Sequence, residues 1–283
     1  MKLKDLKEII VESGKLFGDT GTVTRENIEK VIKLVKKTIG KSEGIAPLGT
    51  TGKKAVSGDV DLGVDESKIK REPAVNKMTK AFGDGKKVGP DQVSFSVPYG
   101  GKANAQVDLM FGSNLEWVQF AYYADPESKY KGVVRTILIT SVAAALNEPG
   151  TDHFEYDDSG ELTIRAGRTV ELTKGMKRIF QHRPKKKTGE GYLKTMKSIP
   201  IDKFKDMFPD VEIKGDDVII DDPKTVVQIL FGKDTLPEDV RSAEQVLNLI
   251  KTKFNIAQQD KIFKVAKSRL SRIKGLTLPG VLK

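Results

Sequence analysis

The segment best equipped for chemistry is Leu48-Gly49-Thr50-Thr51-Gly52-Lys53-Lys54, followed shortly by Asp59-Val60-Asp61-Leu62-Gly63-Val64-Asp65. Side chains two apart on a strand point the same way. Asp59 and Asp61 therefore share a face, while Val60, Leu62 and Val64 enter the core. Two carboxylates about 7 Å apart repel by roughly 2 kcal/mol at an effective dielectric near 20. Water or a cation must neutralise such a pair, and hard divalent cations are the natural choice, Mg²⁺ taking few carboxylates plus substrate phosphates. A third acid, Asp108, alternates with apolar residues in Val107-Asp108-Leu109-Met110-Phe111. If its strand pairs beside the first, three carboxylates converge. Three can hold two metal ions, which clamp the attacking and leaving oxygens of an in-line phosphoryl displacement. The small residues of the Gly49–Gly52 turn offer backbone N–H groups, and the Thr50 and Thr51 hydroxyls, to a phosphate. Each piece alone also reads as a solvated strand edge or a plain turn; the ordered set points to phosphoryl chemistry.

The elements that must position these residues follow from periodicity. Residues 3–12 and 25–39 read as helices, the second carrying Ile28, Val31, Ile32, Val35 and Ile39 on one stripe, with Thr24 as N-cap and Gly40 as stop. Strands are expected at 59–65, 92–99 and 104–111, the last two joined through Gly100-Gly101, with a helix over 67–82 between them and the first. Residues 115–123 read as a further strand and 129–146 as a helix. Beyond a break at Asn147-Glu-Pro-Gly come short strands at 153–157, 161–165 and 169–173, then helices at 200–208, 223–231, 237–254 and 256–274. The expected fold class is α+β: residues 1–150 form a mixed sheet with flanking helices, and 151–283 a smaller, helix-rich C-terminal domain. Two domains also fit the length of 283 residues.

Composition narrows the chemistry further. Cysteine is absent, which excludes disulfides, thiol nucleophiles and cysteine-based metal sites. Only His153 and His182 supply imidazoles, so multi-histidine centres are excluded and a Ser-His-Asp triad is poorly supplied. The most apolar helical stretch, 132–146, is too short to cross a bilayer and contains Arg135. The opening Met-Lys-Leu-Lys-Asp-Leu-Lys-Glu has no apolar run of signal-peptide type, so a cytoplasmic protein with no membrane partner is expected. The net charge is +10, which favours a polyanionic partner. Its distribution is uneven: residues 161–198 and 251–283 each carry net +8, flanking an acidic stretch of −6 at 199–250. Lys174–Lys197 holds nine basic residues and one acid, interspersed with Phe180, His182 and Tyr192. That pattern suits a single-stranded nucleic-acid groove and equally a solvated face. The last helix combines an apolar stripe (Ile262, Phe263, Ala266, Leu270, Ile273) with a basic remainder, which reads as a domain cap, as a second wall of the same track or, third, as a membrane-surface helix.

The order Leu48-Gly49-Thr50, then Asp59-Val60-Asp61, then Asp108 resembles the DNA polymerase β-like nucleotidyltransferase superfamily. Its pattern is an apolar residue and Gly-Ser or Gly-Gly, then Asp-x-Asp on a strand, then a single Asp between apolar residues. Thr50 departs from it but keeps the hydroxyl. The resemblance covers about residues 25–112, and the Leu48–Lys54 layout is similar to that of phage-borne members. It implies that Asp59, Asp61 and Asp108 hold two Mg²⁺ ions (or Mn²⁺), that Asp108 helps activate the attacking hydroxyl, and that Gly49 and Thr50 bind the triphosphate of an NTP. Lys53 and Lys54 follow the turn and can approach the triphosphate or sit in solvent. The helix after the third acid often contacts nucleotide in this superfamily, which puts Lys131 and Arg135 at the substrate, against surface charge or an ion pair. Trp117, Tyr122 and Tyr123 read first as core and second as base-stacking residues. The implied activity moves an NMP from an NTP to an acceptor hydroxyl, releasing pyrophosphate, with an RNA 3′ end such as that of tRNA as the expected acceptor. Modification of a protein or small molecule, as by toxins and antibiotic-modifying enzymes, is the alternative within that chemistry; a non-catalytic nucleic-acid-binding module is the alternative outside it.

Overall fold

The computed structural model describes residues 16–101, 103–146, 164–183, 187–188, 191–192, 197–210, 218–273 and 275–282. The expected helix at 3–12, the strand at 153–157 and the break near 150 lie outside these residues. Strand β1 (Val23–Thr24) leads into helix α1 (Arg25–Ile39). The α1 stripe is buried as its spacing dictates, at Ile28, Val31, Val35 and Ile39. Thr24 occupies the N-cap position without a side-chain bond, and Gly40 ends the helix at φ 77°. Strands β2 (Ile45–Pro47), β3 (Val56–Ser57) and β4 (Val60–Asp65) follow, then α2 (Arg71–Phe82), β5 (Lys86–Lys87), β6 (Gln92–Gly100) and β7 (Ala103–Gly112). The five-stranded sheet has the order β2-β4-β7-β6-β5. The β4–β7 pair is parallel, and the other pairs are antiparallel.

Alternation sorts the sheet into two faces. Val60, Leu62 and Val64, with Val107, Leu109 and Phe111, are fully buried in one core with the α1 stripe and Met78 of α2. The opposite face carries Asp61, Gly63 and Asp108. Part of it is covered by α3 (Leu115–Ala121), which approaches closely because Gly63 has no side chain. A Cβ there would lie 3.0–3.2 Å from Leu48, Leu115 and Val118.

Residues 115–121 form a helix where alternation suggests a strand. Asn114 caps it by accepting the Glu116 N–H at 2.9 Å. Trp117, Val118 and Ala121 then share one buried side. Helix α4 (Gly132–Ala145) follows, then β8 (Ile164–Glu171), β9 (Gly175–His182), β10 (Lys187–Thr188), β11 (Gly191–Tyr192) and β12 (Lys197–Ile199). The short strands expected at 161–165 and 169–173 are replaced, among the described residues, by one strand. Ala166-Gly167 lies inside β8, and the reversal comes at 172–174, before Gly175 at φ 120°. Last come α5 (Ile201–Met207), α6 (Pro223–Phe231), a 3₁₀ turn at Pro237–Val240, α7 (Ala243–Lys253) and α8 (Ile256–Leu270). The expected helix 237–254 is divided because Ser242 and Gln245 form a capping box that starts a new helix.

The chain is thus a mixed α+β part followed by a mostly helical C-terminal region. A second core joins them, in which Trp117 and Val118 of α3 and Leu138 and Val142 of α4 pack with Val227, Val246, Ile262 and Ala266. Among the described residues no helix is long and apolar enough to cross a membrane. Because α4 lies inside this shared core, Leu138→Ala is expected to lower the unfolding free energy by about 3 kcal/mol. Urea denaturation at unchanged slope measures this; a loss under about 1 kcal/mol would show that α4 is not a central packing element.

Candidate active site

The parallel pairing of β4 and β7 sets Asp61 directly opposite Asp108, and Asp59 stands just before β4. One carboxylate oxygen from each of the three lies within 4.8 Å of the others, and no other group of three such ligands occurs among the described residues. Burial, and then the charge of Asp108, pushes Asp59 up to about 6. Asp61 is raised well above the usual carboxylate range by burial, with Asp59 and Asp108 adding to it. Burial raises Asp108 as well, although Gln106 Nε2 donates to its two oxygens at 3.1 and 3.3 Å. Three oxygen ligands that resist ionisation only because they are buried together fit a hard divalent cation. Asp65 does not belong to the group; its Oδ1 accepts from Ser67 N–H at 2.9 Å and Ser67 Oγ at 2.6 Å.

The Gly-Thr turn is latched onto the acidic strand. Leu48 N–H donates to Asp61 O at 2.9 Å, and Asp61 N–H donates to Thr51 Oγ1 at 3.0 Å. Thr51 and Lys53 spend their own N–H groups closing the turn on Leu48 O and Thr50 O. The Thr51 hydroxyl is therefore a structural clasp, while the N–H groups of Gly49, Thr50 and Gly52 have no partner among the described residues. Gly49 sits at φ 57°, which costs any L side chain about 1 kcal/mol, and a Cβ there would lie 3.6 Å from Asp61 Oδ2.

This turn opens on a cleft of about 620 Å³. Asp59, Asp61, Gly49, Thr50, Thr51, Lys54 and Lys131 line it; Asp108, Lys53 and Arg135 do not. Asp108 is only 5% exposed, behind the other two acids. Lys53 turns toward Tyr123, with Nζ 4.1 Å from the ring centre and 3.4 Å from Ala124 O. Arg135 is 1% exposed, donating through Nη1 to Phe120 O at 2.9 Å and through Nε to Val240 O. Burial lowers its pKa to about 10. It ties α3 to the 3₁₀ turn. Trp117 is a core residue, whereas Tyr122 lines the cleft. Phe180, in the basic stretch, packs on Phe204 at 5.2 Å in a small third core.

Of the far wall, sequence reasoning offered only the basic last helix, read as a domain cap or as a track wall. Thr136 and Thr140 of α4, Thr169 of β8 and Arg269 of α8 all line the cleft. For α4 the only signal is the four-residue spacing of Thr136 and Thr140 on an apolar helix. The C-terminal region also fixes the near wall: Glu244 of α7 accepts from Ser128 Oγ at 2.8 Å and Lys129 N–H at 3.0 Å.

An acid whose folded pKa is raised takes up protons on folding, so its contribution to stability is lost as pH rises through the folded value. The metal-free protein should therefore weaken between about pH 4 and 6, with up to about 3 kcal/mol from Asp59. Asp59→Asn should remove that share, and Mg²⁺ or Mn²⁺ should raise the melting temperature more at pH 7.5 than at pH 5. An equal effect of metal at both pH values in thermal melts would refute this. Arg135→Ala should cost about 3 kcal/mol or more, and the exposed Lys131→Ala less than about half a kcal/mol, compared by chemical denaturation. No protein-family model matches this chain and no curated protein matches it, so the case for its chemistry rests on these acids and their surroundings.

Proposed function

We propose that this protein is a metal-dependent nucleotidyltransferase of the DNA polymerase β-like kind, moving an NMP from an NTP to an acceptor hydroxyl. One observation carries the reading: three carboxylates with oxygens within 4.8 Å, Asp59 and Asp61 lining a substrate-sized cleft and Asp108 buried behind them, stand beside a glycine turn with open N–H groups. Two divalent cations, when held by Asp59, Asp61 and Asp108, supply neutralisation of the triphosphate and of charge developing at the attacking and leaving oxygens. The chain's own groups do the rest. Gly49, Thr50 and Gly52 present N–H groups, and Thr50 a hydroxyl, to the phosphates. Lys54 and Lys131 add positive charge at the cleft wall. The acceptor oxygen bonds to the α-phosphorus, the bond from that phosphorus to the bridging oxygen breaks, and pyrophosphate leaves. The hydroxyl proton passes to a carboxylate of the cluster; Asp108 has that role in the family this site resembles.

The acceptor we favour is an RNA 3′ end. The net +8 of residues 161–198 and of 251–283 supports it, because phosphate contacts supply most non-specific nucleic-acid affinity. The test is incubation with each labelled NTP separately, in Mg²⁺, with RNA and with a cell extract. Label should enter RNA, and Asp59→Asn with Asp61→Asn should lower the rate about a hundredfold or more. Label in protein moves the acceptor to a side chain. Unchanged turnover in the double variant would remove the active-site assignment.

A further inference from the structure

The cleft has a second, cationic pole. Arg269 lines it from α8, and its Nη1 donates to Thr140 Oγ1 at 2.8 Å. Arg165, from β8, donates through Nη2 to Ala144 O, one turn beyond Thr140 and about 6 Å along α4. Arg272 follows Arg269 by one turn. Arg269 has no carboxylate partner among the described residues. Burial first, then the charges of Arg165 and Arg272, lower its pKa to about 10, so it remains a cation at neutral pH.

Like charges gathered at a half-buried site raise the energy of the fold unless an anion joins them. A guanidinium fork matches two phosphate oxygens at once. Val133, Ile137, Val170 and Leu172 also line the cleft and supply an apolar surface of the kind a sugar or base lies on. The triphosphate belongs with the acids and the Gly49 turn, so an anion at Arg269 belongs to the other substrate. We propose that Arg269, backed by Arg165 and Arg272, binds a phosphodiester of the acceptor strand, so the acceptor is a polynucleotide. This rests on the nucleotidyltransferase reading, which places the triphosphate at the opposite pole.

The test measures binding of three probes by the full chain. They are a short single-stranded oligoribonucleotide, the same sequence with uncharged methylphosphonate linkages, and a non-hydrolysable Mg²⁺–NTP analogue. Arg269→Gln should weaken the first about tenfold and reduce its salt slope by about one. It should leave the other two unchanged, and Arg269→Lys should recover part of the loss. If Arg269→Gln melts early, Thr140→Val, which releases the guanidinium without removing its charge, should show a smaller loss on the same probe alone. Unchanged oligoribonucleotide binding in folded variants would overturn the proposal. A loss falling on the NTP analogue instead would also overturn it, by making Arg269 a nucleotide residue. Separately, if Asp59→Asn leaves binding of the analogue intact, the active-site reading fails while the Arg269 result still stands as polynucleotide binding.

Discussion

Three carboxylates with oxygens within 4.8 Å of one another, in a buried setting, are the constraint around which this fold is arranged. If all were ionised, each pair at about 5 Å would cost about 3 kcal/mol at an effective dielectric near 20. The chain limits that cost by holding the acids high in pKa, a remedy that weakens as pH rises. It can carry the remainder because the reverse face of the same strands is so well packed. Val60, Leu62, Val64, Val107, Leu109 and Phe111 are all fully buried there, each worth about 1.5–3 kcal/mol. The alternation that delivers this apolar face is the same alternation that delivers the acids. Stability and site are two faces of one register, and a one-residue slip of β4 against β7 would exchange them.

Placement of the Gly49–Gly52 turn depends on that register too. Thr51 and Leu48 bond to the backbone of Asp61 itself, so turn and acid move together. On the opposite wall, α4 is held from behind by the C-terminal helices, and Glu244 and Arg135 tether the segments that flank it. The helical C-terminal region is therefore part of the cleft's construction. The turn is held by bonds to the neighbouring strand, and the α4 side also by hydrogen bonds between residues far apart in sequence.

What was legible in the sequence was what is local or periodic. The α1 stripe, the β4 alternation, the αL stop at Gly40 and the Asp59, Asp61 pair each follow from spacing within a dozen residues, while Asp108 was marked by the alternation of its own strand. Residues 115–121 were misread because Leu115, Trp117 and Ala121 fit a period of two as well as a helical face. The deciding signal was the Asn114 cap, one residue upstream. Sequence neighbours left Lys53 open between triphosphate and solvent, and the family resemblance put Arg135 at the substrate against surface charge or an ion pair, but a cation's role is set by what surrounds it in space. For Arg135 that is two backbone carbonyls and two aromatic rings. Arg269 was legible only as one of several basic residues on the last helix; which of them enters the cleft is set by the packing of α8 on α4.

The net charge of +10 therefore says less than its division. A cleft that was uniformly positive would attract any polyanion and orient none, whereas an acidic pole and a basic pole along one helix impose a direction. On the proposed reading, a strand with a phosphate at Arg269 would have a defined sense along α4, its hydroxyl end toward Asp59 and Asp61. Charge separation of this kind works without base contacts, as phosphate contacts fix register and orientation without reading sequence. On the proposed reading, selectivity among acceptors then comes from which strands can present a free hydroxyl end at that distance from a phosphate, and the division of charge acts as a ruler.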